Sequence, residues 1–508
     1  MGKSATFQDL TLMPPAPGQE LGRWLYNELR AAILDGRLKP GCRVPSTRGL
    51  SRQYALARGT VETAFDQLKS EGYVEATVGA GTFVCTRLPE EAVAAPCHTA
   101  GPPAEDSTAG LSSRGRTAVE GVRLLAASHS VGRAFRSYEP AIDLFPVALW
   151  SRVAARVLRN APRSLYGQGD ALGYLPLRKA VAQYVGPARG VRCDANQIVI
   201  TSGTQQALDL VARLLLDPGD SVWLEDPGYP GALYAFRAAG ANVVPVPVDR
   251  EGLMVHQATA ECAAARLAYV TPANQFPLGV TLSPRRRVEL LTWVAARNAW
   301  IIEDEYDAEY RYSGPPVPSL QSLDRSGCVI YLGTFTKMLF NSLRLGFMVL
   351  PPRVVEAFAA GRALLDRHPP TLDQAILADF IMEGHFGHHV RRMRQTYARR
   401  GSALCDAARI LAGRLDVVPA LSGMRALGLL GGGQRAVDVA ERARSLGLEV
   451  AALSDLALRH ACPEALILGF AGCSTAELKR GIEMLAGALE PASSPPRARH
   501  LEHDSAAV

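Results

Sequence analysis

Residues 329–346 read VIYLGTFTKMLFNSLRLG, an apolar run that leads to a lysine, Lys337, and then to an arginine, Arg344. Its first residues, Val329–Leu332, predict a buried β-strand. A lysine among apolar residues loses its proton more easily because burial disfavours the ammonium, and a neutral amine is the nucleophile that a Schiff base requires. Arg344 offers paired N–H groups that can bind a phosphate. A lone lysine is more often a surface residue, so the interpretation depends on the rest of the chain.

Two glycine-bearing turns also follow predicted strands. SGTQ at 202–205 comes directly after QIVIT, and small residues at a helix N-terminus can present backbone N–H groups to a phosphate, although many turns look alike. DPGYP at 226–230 holds Tyr229 between prolines, where the ring could stack on a flat ligand or simply lie on the surface of a turn. In open α/β sheets, ligands bind at such strand ends.

An acidic turn, EDEYD at 303–307, follows the apolar residues WII. Acids at the end of a buried strand are costly unless a cation meets them, and a protonated ring nitrogen is one such cation. Asp304 and Tyr306 are two residues apart and point to the same side of an extended chain, so one could face a ring nitrogen and the other a ring hydroxyl. A salt-bridge cluster or a metal site remains an alternative. Because no histidine accompanies the acids, magnesium is the main rival.

The alternation of strands with longer helical patterns predicts an α/β domain whose sheet is mainly parallel and covered by helices on both faces. We expect a flexible N-terminus at 1–18, an N-terminal module at 19–87, a linker at 88–138 rich in Ala, Pro, Ser, Thr and Gly, the α/β domain at 139–490, and a disordered tail at 491–508. The strands that we predict are Gln197–Thr201, Ser221–Leu224, Ala268–Thr271, Trp300–Ile302 and Val329–Leu332.

The composition fits a globular protein, since 48% of the 508 residues are hydrophobic and 20% are charged. The net charge of +6 is too mild to indicate a nucleic-acid partner by itself. The nine cysteines form no C-x-x-C pair, so we expect no metal site of the zinc-finger type. The first residues lack the apolar region of a secretory signal, so we expect none. The sequence also shows no long uncharged apolar run of the kind that spans a membrane. We therefore expect a cytoplasmic protein.

The N-terminal module shows three helical patterns and a hairpin. Ser46 is a candidate N-cap for a short second helix, and the third helix begins near Arg58. Between Gly36 and Val61 there are six basic residues and no acidic one, in the part of the module where two helices are joined by a tight turn. The second helix of such a pair enters the DNA major groove by its N-terminal end, and the basic residues suit the phosphate backbone. The alternative is a solvated charged face on an ordinary helical bundle.

Three runs of this module, GRLKPGCRVPSTRGL (36–50), ARGTVETAF (57–65) and GAGTFV (79–84), resemble the GntR-type winged helix-turn-helix. Val44, Ser51 and Phe65 depart from the family's pattern in small ways that concern packing. The resemblance implies that the module contacts double-stranded DNA through Ser46, Arg48, Arg58, Thr60 and Gly81.

Four runs of the second module, TSGTQQALDL (201–210), EDPGYPG (225–231), IIEDEYDAEYRY (301–312) and YLGTFTKMLFNSLRLGF (331–347), resemble the fold type I aminotransferases. With the first module, they make the chain similar to the MocR-type regulators. The resemblance implies the cofactor pyridoxal 5'-phosphate (PLP), held on Lys337 as an internal aldimine. It also implies that Asp304 pairs with the pyridine nitrogen, Tyr306 with the ring oxygen, and that Tyr229 stacks on the ring. The residues expected at the phosphate are Gly203, Thr204, Thr334, Arg344 and, from a partner subunit of a homodimer, Tyr166.

Three departures from the aminotransferase pattern bear on catalysis. In TPANQFPLG (271–279), Asn274 replaces a histidine and Phe276 stands where aminotransferases usually carry an asparagine. Ile467 stands in the place of the arginine that binds a substrate carboxylate, for which Arg425 could substitute. The departures weaken the case for efficient transamination and leave the identity of an amino-acid effector open.

We therefore expect a PLP-dependent, DNA-binding transcription regulator whose aminotransferase-like domain senses PLP or a PLP–amine adduct rather than turning over substrate, although a transamination half-reaction could remain. The main alternative is an active PLP-dependent aminotransferase with an accessory DNA-binding module. A DNA-binding protein whose second domain holds no cofactor is the third hypothesis. The expected partners are double-stranded DNA, PLP with or without an amine effector, and a second copy of the chain.

Overall fold

The computed structural model describes residues 10, 12–15, 18–77, 80–88, 110–125, 134–314 and 317–489. The chain divides into two compact units, Met1–Ala109 and Gly110–Val508. Most of the predicted N-terminus at 1–18, the larger part of the predicted linker at 88–138 and the predicted tail at 491–508 lie outside the described residues. In the ranges just given, no helix has both the length and the apolar character needed to cross a membrane.

The first unit contains three helices followed by a hairpin, as the sequence predicts. The hydroxyl of Ser46 accepts a hydrogen bond of 3.1 Å from the Gly49 N–H and caps the second helix. The third helix buries Val61, Ala64, Phe65 and Leu68, the residues that its sequence period places on one face. The elements are α1 (Leu21–Leu34), α2 (Thr47–Gln53), α3 (Arg58–Ser70), β1 (Val74–Thr77) and β2 (Gly81–Val84).

The hairpin of the first unit is joined to the turn between α1 and α2. Strands β1 and β2 are antiparallel, and Arg43 forms a further antiparallel bridge with Phe83. The Val44 N–H donates to the Thr82 carbonyl at 2.8 Å. The basic residues that precede α2 are therefore held beside the hairpin by backbone hydrogen bonds.

The second unit alternates helices with strands. Its helices are α4 (Ser113–Leu125), α5 (Val147–Asn160), α6 (Leu175–Arg189), α7 (Thr204–Leu215), α8 (Pro230–Ala238), α9 (Val255–Cys262), α10 (Pro284–Arg297), α11 (Leu320–Leu323), α12 (Val355–Asp366), α13 (Leu372–Met382), α14 (His385–Ala408), α15 (Ala436–Ser445) and α16 (Thr475–Ala488). Its strands are β3 (Ile198–Thr201), β4 (Ser221–Asp226), β5 (Asn242–Asp249), β6 (Gly252–Leu253), β7 (Leu267–Val270), β8 (Trp300–Glu305), β9 (Val329–Thr334), β10 (Gly346–Val349), β11 (Leu415–Val418), β12 (Arg425–Leu430), β13 (Ala451–Ala452) and β14 (Ala465–Gly469).

The larger sheet has the order β3-β10-β9-β8-β7-β4-β5-β6 and contains the strands that the sequence predicts. The pairs β9–β8, β8–β7, β7–β4 and β4–β5 are parallel, whereas β10 and β6 pair antiparallel with their neighbours. Strands β8 and β9 are buried along their whole length, which explains the apolar sequence of β9 and of the first half of β8. The carboxyl ends of β3, β4, β8 and β9 meet at one edge of this sheet, because these strands run in the same direction.

A smaller antiparallel sheet of order β11-β12-β14-β13 forms from the C-terminal part of the second unit. Its strands share a hydrophobic core with α14, α15 and α16. This sheet brings Arg425, at the start of β12, to the edge of the larger sheet, where the Arg425 guanidinium donates to the Gln275 carbonyl at 3.2 Å.

Two parts of the predicted linker are ordered and packed, so the prediction of a flexible linker over 88–138 is wrong there. The Arg114 side chain on α4 donates to the Ala238 carbonyl at the end of α8, at 2.8 Å. A Cβ atom at Gly121 would lie 2.6 Å from the Tyr234 ring, so this glycine allows α4 to lie against α8. Phe135 is fully buried. The high Ala, Gly and Ser content conceals the helical period of α4, and the packing partners come from distant parts of the chain.

Candidate functional site

A cavity lies at the edge of the larger sheet where the carboxyl ends of the strands meet. Eight of the nine residues predicted at the cofactor line it. They come from the turn after β3, the turn after β4, the end of β8 with Tyr306 beyond it, and the end of β9 with the segment that follows it. The lining residues are Tyr138, Gly203, Thr204, Gln205, Tyr229, Tyr269, Thr271, Phe276, Asp304, Tyr306, Thr334, Thr336, Lys337 and Arg344.

Lys337 lies in this cavity three residues after β9 ends. Its Nζ donates to the Tyr138 carbonyl and to Asn341 Oδ1, at 3.1 Å each. Burial, and secondarily the positive charge of Arg344, lowers the pKa of Lys337 from 10.5 to about 8. At pH 7 about a tenth of such an amine is neutral, compared with well under a thousandth at the ordinary lysine pKa. These surroundings favour the neutral form of the Lys337 amine, which is the form that a Schiff base requires.

The three acids that end β8, Glu303, Asp304 and Glu305, have different partners. Glu303 accepts from the backbone N–H groups of Leu320 and Gln321, at 2.6 and 2.9 Å, and Glu305 pairs with Arg189 at 2.5 Å. Asp304 points to the other face of the strand and lines the cavity. The salt-bridge interpretation thus describes Glu305 but not Asp304.

Asp304 has one satisfied and one unsatisfied oxygen. Its Oδ2 accepts from the Tyr269 hydroxyl at 2.7 Å, whereas its Oδ1 is buried and has no hydrogen-bond partner among the described residues. Burial raises the pKa of the Asp304 carboxyl to about 7. A protonated ring nitrogen in the cavity would supply the missing donor and the missing positive charge. The described residues contain no group of three or more His, Cys, Asp or Glu side chains that could hold a metal ion.

A second group of residues in the cavity lining offers donors for a phosphate. Gly203 precedes α7 with a φ of +97°, and a Cβ atom there would lie 3.2 Å from Arg344 Nη2. The same Nη2 donates to the Ser202 carbonyl at 3.0 Å, which holds the exposed guanidinium beside the N-terminus of α7. Thr336 Oγ1 is buried here without a hydrogen-bond partner among the described residues. A helix N-terminus, an arginine and a free hydroxyl together suit a phosphate group.

Aromatic side chains also line the cavity. The rings of Tyr229 and Phe276 lie 5.7 Å apart and are nearly perpendicular, and the Tyr229 ring is nearly parallel to that of Tyr269 at 6.4 Å. Burial raises the pKa of Tyr229 to about 12, so its phenol stays neutral. A flat heterocycle fits such a slot, with Tyr229 available for stacking.

Tyr306 is held at its hydroxyl from two sides. The hydroxyl donates to the Asn274 carbonyl at 2.7 Å and accepts from Arg425 Nη2 at 2.6 Å. Arg425 is buried and does not line the cavity, and its Nη1 has no hydrogen-bond partner among the described residues, although it lies 3.7 Å from Asp307 Oδ2. A role for Arg425 in binding a carboxylate therefore requires the aromatic side chains around it to move.

Tyr166 is the one predicted cofactor residue outside the cavity. It ends a short 3-10 helix, is 62% exposed, and its hydroxyl makes a long 3.4 Å hydrogen bond to the Leu158 carbonyl. The position is open to another chain, and the single chain does not bring this tyrosine to the other site residues.

Six lining residues were not predicted from the sequence: Tyr138, Gln205, Tyr269, Thr271, Phe276 and Thr336. Tyr269 had a detectable signal, because a tyrosine inside the buried strand LAYV needs a hydrogen-bond partner for its hydroxyl. Tyr138 had no such sequence signal, since it falls at the end of the stretch that we predict as a linker.

In the first unit, the five residues predicted at DNA lie on α2, on α3, in the turn before α2 and in the hairpin. Arg48 and Arg58 are exposed, and Arg58 Nε contacts Glu62 Oε1 at 2.9 Å on the same helix. Ser46 serves as a helix cap, and the Thr60 methyl group lies near Gly22. Gly81 has a φ of +116°, and a Cβ atom there would lie 2.6 Å from Arg43 Nε. Exposed basic side chains thus lie at the start of α2 (Arg48), at the start of α3 (Arg58) and beside the hairpin (Arg43).

The comparisons with known proteins agree with this geometry. Residues 21–84 match the family "Bacterial regulatory proteins, gntR family", and residues 142–485 match "Aminotransferase class I and II". The chain is 40% identical to the probable rhizopine catabolism regulatory protein MocR of Rhizobium meliloti, over 92% of this chain and 93% of that protein. It is 34% identical to the transcriptional regulator TauR of Rhodobacter capsulatus, over 77% of this chain and 81% of that protein.

A regulator of pyridoxine biosynthesis and a solved aminotransferase are also similar. The transcriptional regulator PdxR of Corynebacterium glutamicum is 29% identical over 75% of this chain and 77% of its own length. The α-aminoadipate aminotransferase LysN of Thermus thermophilus, solved with N-(5'-phosphopyridoxyl)-L-leucine, has a TM-score of 0.66 at 29% identity and covers 73% of this chain and 96% of its own.

Proposed function

This chain belongs to the MocR-type transcription regulators, in which a GntR-family DNA-binding module is joined to a PLP-dependent class I and II aminotransferase domain, and on that basis we propose that Lys337 holds PLP and that its occupancy controls DNA binding. The observation that carries the proposal is the cavity in which a lysine of lowered pKa and a buried carboxylate oxygen without a partner lie together. When bound, PLP supplies an aldehyde that can combine with amines.

The chain's own residues support a specific placement of that cofactor. Asp304 would hold the ring nitrogen through Oδ1, with Tyr269 fixing the carboxylate through Oδ2. Tyr229 would stack on the ring, and Tyr306 would face the ring oxygen. Gly203, Thr204, Thr334 and Arg344 would hold the phosphate at the start of α7. Each of these residues binds or orients the cofactor, and Lys337 provides the attaching amine.

DNA binding by the first unit is assigned to Ser46, Arg48, Arg58, Thr60 and Gly81. The exposed arginines at the start of α2 and α3 support contacts with phosphates and base edges. Ser46 and Thr60 would act mainly by positioning these helices, because their described contacts lie within the unit. Bacterial DNA lies in the cytoplasm, so we propose a cytoplasmic location for this DNA-binding protein.

We also propose a homodimer in which Tyr166 reaches the phosphate site of the other subunit. Tyr166 is exposed, and several large apolar side chains of the second unit are exposed as well, which favours an interface over solvent. Those apolar residues are Val147, Leu158, Leu364, Leu372 and Met382. Since the phosphate sites would then be shared, cofactor occupancy and the pairing of subunits would be coupled.

We propose that the ligand to which the protein responds in this cavity is PLP itself, or PLP together with an amine. The absorption spectrum of purified protein after addition of PLP tests the attachment. We expect a visible band that sodium borohydride removes, leaving a mass increase on the peptide that contains Lys337. Lys337→Ala should show neither the band nor the modified peptide. A parent protein that stays colourless and unmodified would contradict the proposal.

A further inference from the structure

Tyr138 has a backbone conformation that needs an explanation. Its φ is +66°, in the left-handed region that residues with side chains rarely adopt, and Phe135, three residues earlier, has a φ of +70°. Two such residues so close together persist only where the surroundings hold them, and conformations of this kind occur often at ligand sites. The contacts of residues 134–138 show what holds them.

The beginning of this segment is fixed to the smaller sheet. The Phe135 ring is fully buried, and the Phe135 carbonyl accepts from the Gly469 N–H at 2.9 Å. The Ala134 carbonyl accepts from the Glu449 N–H at 2.9 Å. A Cβ atom at Gly469 would lie 2.0 Å from the Arg136 carbonyl oxygen, so only glycine lets the segment approach β14 this closely. The backbone that leads to Tyr138 is therefore held in place by the smaller sheet.

The Tyr138 ring covers the amine of Lys337. Lys337 Nζ lies 5.6 Å from the centroid of the ring and donates to the Tyr138 carbonyl at 3.1 Å. The ring centroid of Phe276 lies 5.3 Å from that of Tyr138, and Arg425 Cζ lies 5.4 Å from it on another side. Atoms in contact are about 3.5–4 Å apart, so a separation of 5.6 Å leaves little space on this side of Nζ, and a bulky substituent there would meet the ring.

The Tyr138 hydroxyl is not what holds the ring in place. It is buried and has no hydrogen-bond partner among the described residues, and burial raises the pKa of the phenol well above its ordinary value. The ring is held by its aromatic neighbours and by the backbone. A phenylalanine at this position should therefore keep the ring where it is, whereas a glycine would remove it and would suit the positive φ.

We infer that Tyr138 is a selectivity filter, which lets small primary amines reach the cofactor where it is attached to Lys337 and excludes amines with a bulky substituent next to the nitrogen. This inference rests on the proposed function, because the amines in question are those that the cofactor-loaded site would sense. It adds the class of effector, a small amine with an unbranched carbon next to the nitrogen, and the residue that selects it.

The first experiment needs no cofactor and measures access to Lys337 directly. Trinitrobenzenesulfonate is added to the cofactor-free parent, Tyr138→Gly and Tyr138→Phe proteins, and labelling of the Lys337 peptide is followed by mass spectrometry. We expect Tyr138→Gly to be labelled on the order of tenfold faster than the parent, and Tyr138→Phe to match the parent. Thermal unfolding of the three proteins identifies any variant that fails to fold. Equal labelling of folded parent and Tyr138→Gly proteins would overturn the inference.

The second experiment uses the PLP-loaded proteins and amines of increasing bulk: methylamine, glycine and L-leucine. The change in visible absorbance on titration reports whether each amine reaches the site. The parent and Tyr138→Phe should respond to methylamine and glycine but weakly to L-leucine, whereas Tyr138→Gly should respond to L-leucine at a concentration on the order of tenfold lower. The same amine profile in all three proteins would also overturn the inference. If the parent shows no Lys337-dependent absorbance, it is the proposed function that fails, and the labelling experiment alone decides the role of Tyr138.

Discussion

Asp304 on β8 and Tyr269 on β7 are joined by a buried hydrogen bond of 2.7 Å, and this bond leaves the second oxygen of Asp304 without a partner among the described residues. A buried carboxylate with a free oxygen destabilises the protein unless something donates to it. The tyrosine fixes the direction in which that oxygen is presented. The pair thus forms a rigid acceptor for a cationic ring nitrogen, on the strand next to the one that leads to Lys337.

The first prediction concerns this acceptor. Asp304→Asn removes the negative charge that a protonated ring nitrogen needs, and a charge-assisted hydrogen bond contributes about 1.5–3 kcal/mol. We expect the affinity for PLP to fall about 10- to 100-fold, measured by absorbance titration. Asp438→Asn, an exposed change in the first turn of α15, is the control and should leave the affinity unchanged. Equal affinity in Asp304→Asn and the parent would remove Asp304 from the proposed site.

The second prediction concerns pH. Attachment of PLP needs the neutral amine of Lys337, whose pKa is lowered to about 8, so lowering the pH below 8 protonates the amine and slows attachment. We expect the rate of cofactor uptake to rise nearly tenfold from about pH 6 to about pH 7 and to level off above about pH 9. Arg344→Gln removes a positive charge that lowers this pKa, and should move the midpoint to higher pH. Stopped-flow absorbance measures both curves. A rate that still rises tenfold per pH unit at pH 9 would indicate an unperturbed lysine.

The third prediction concerns the phosphate contacts with DNA. Arg48→Ala and Arg58→Ala each remove an exposed cation from the start of a helix. If each contacts one phosphate, the slope of log affinity against log salt should become shallower by about 1. Fluorescence anisotropy over a range of salt concentrations measures this slope. Lys69→Ala, at the opposite end of α3, is the matched control and should keep the parent slope. Unchanged slopes in both arginine variants would place the DNA on another face.

The fourth prediction concerns the hairpin. Gly81→Ala would place a Cβ atom 2.6 Å from Arg43 Nε at a φ of +116°, so the hairpin and the Arg43 side chain must shift. We expect weaker DNA binding at an unchanged affinity for PLP, because the altered residue lies in the first unit and the cofactor cavity in the second. Ser70→Ala, an exposed change in the last turn of α3, is the control and should keep the parent affinity for DNA. Parent-like DNA affinity in Gly81→Ala would argue against a role of the hairpin.

The sequence predicted those parts of the site that lie in one short stretch each. Lys337, Asp304 and Gly203 each lie within three residues of the end of a strand, and parallel strands bring their carboxyl ends to one edge, so local motifs were sufficient to group them. The helices of the first unit were predictable for the same reason, since their buried faces repeat with a helical period.

Other parts depend on contacts between distant residues, which no local pattern records. Tyr138 reaches Lys337 across 199 residues, and Arg425 reaches Tyr306 across 119. The composition of residues 88–138 indicated a linker. It could not show that α4 is packed, because that packing depends on a contact between Gly121 and Tyr234, a distant residue of α8. The mixed pairing at the sheet edges was also not predictable, since β10 has the same apolar character as its parallel neighbours.

The most direct test of the account is the affinity for DNA with and without PLP, in the parent and in Lys337→Ala. A duplex selected from a random library by the cofactor-free parent serves as the probe, and anisotropy titrations at one fixed salt concentration give the affinities. We predict that PLP changes the affinity or the footprint of the parent and leaves Lys337→Ala as it was. Identical affinity and footprint in the parent with and without PLP would contradict the claim that occupancy of Lys337 controls DNA binding.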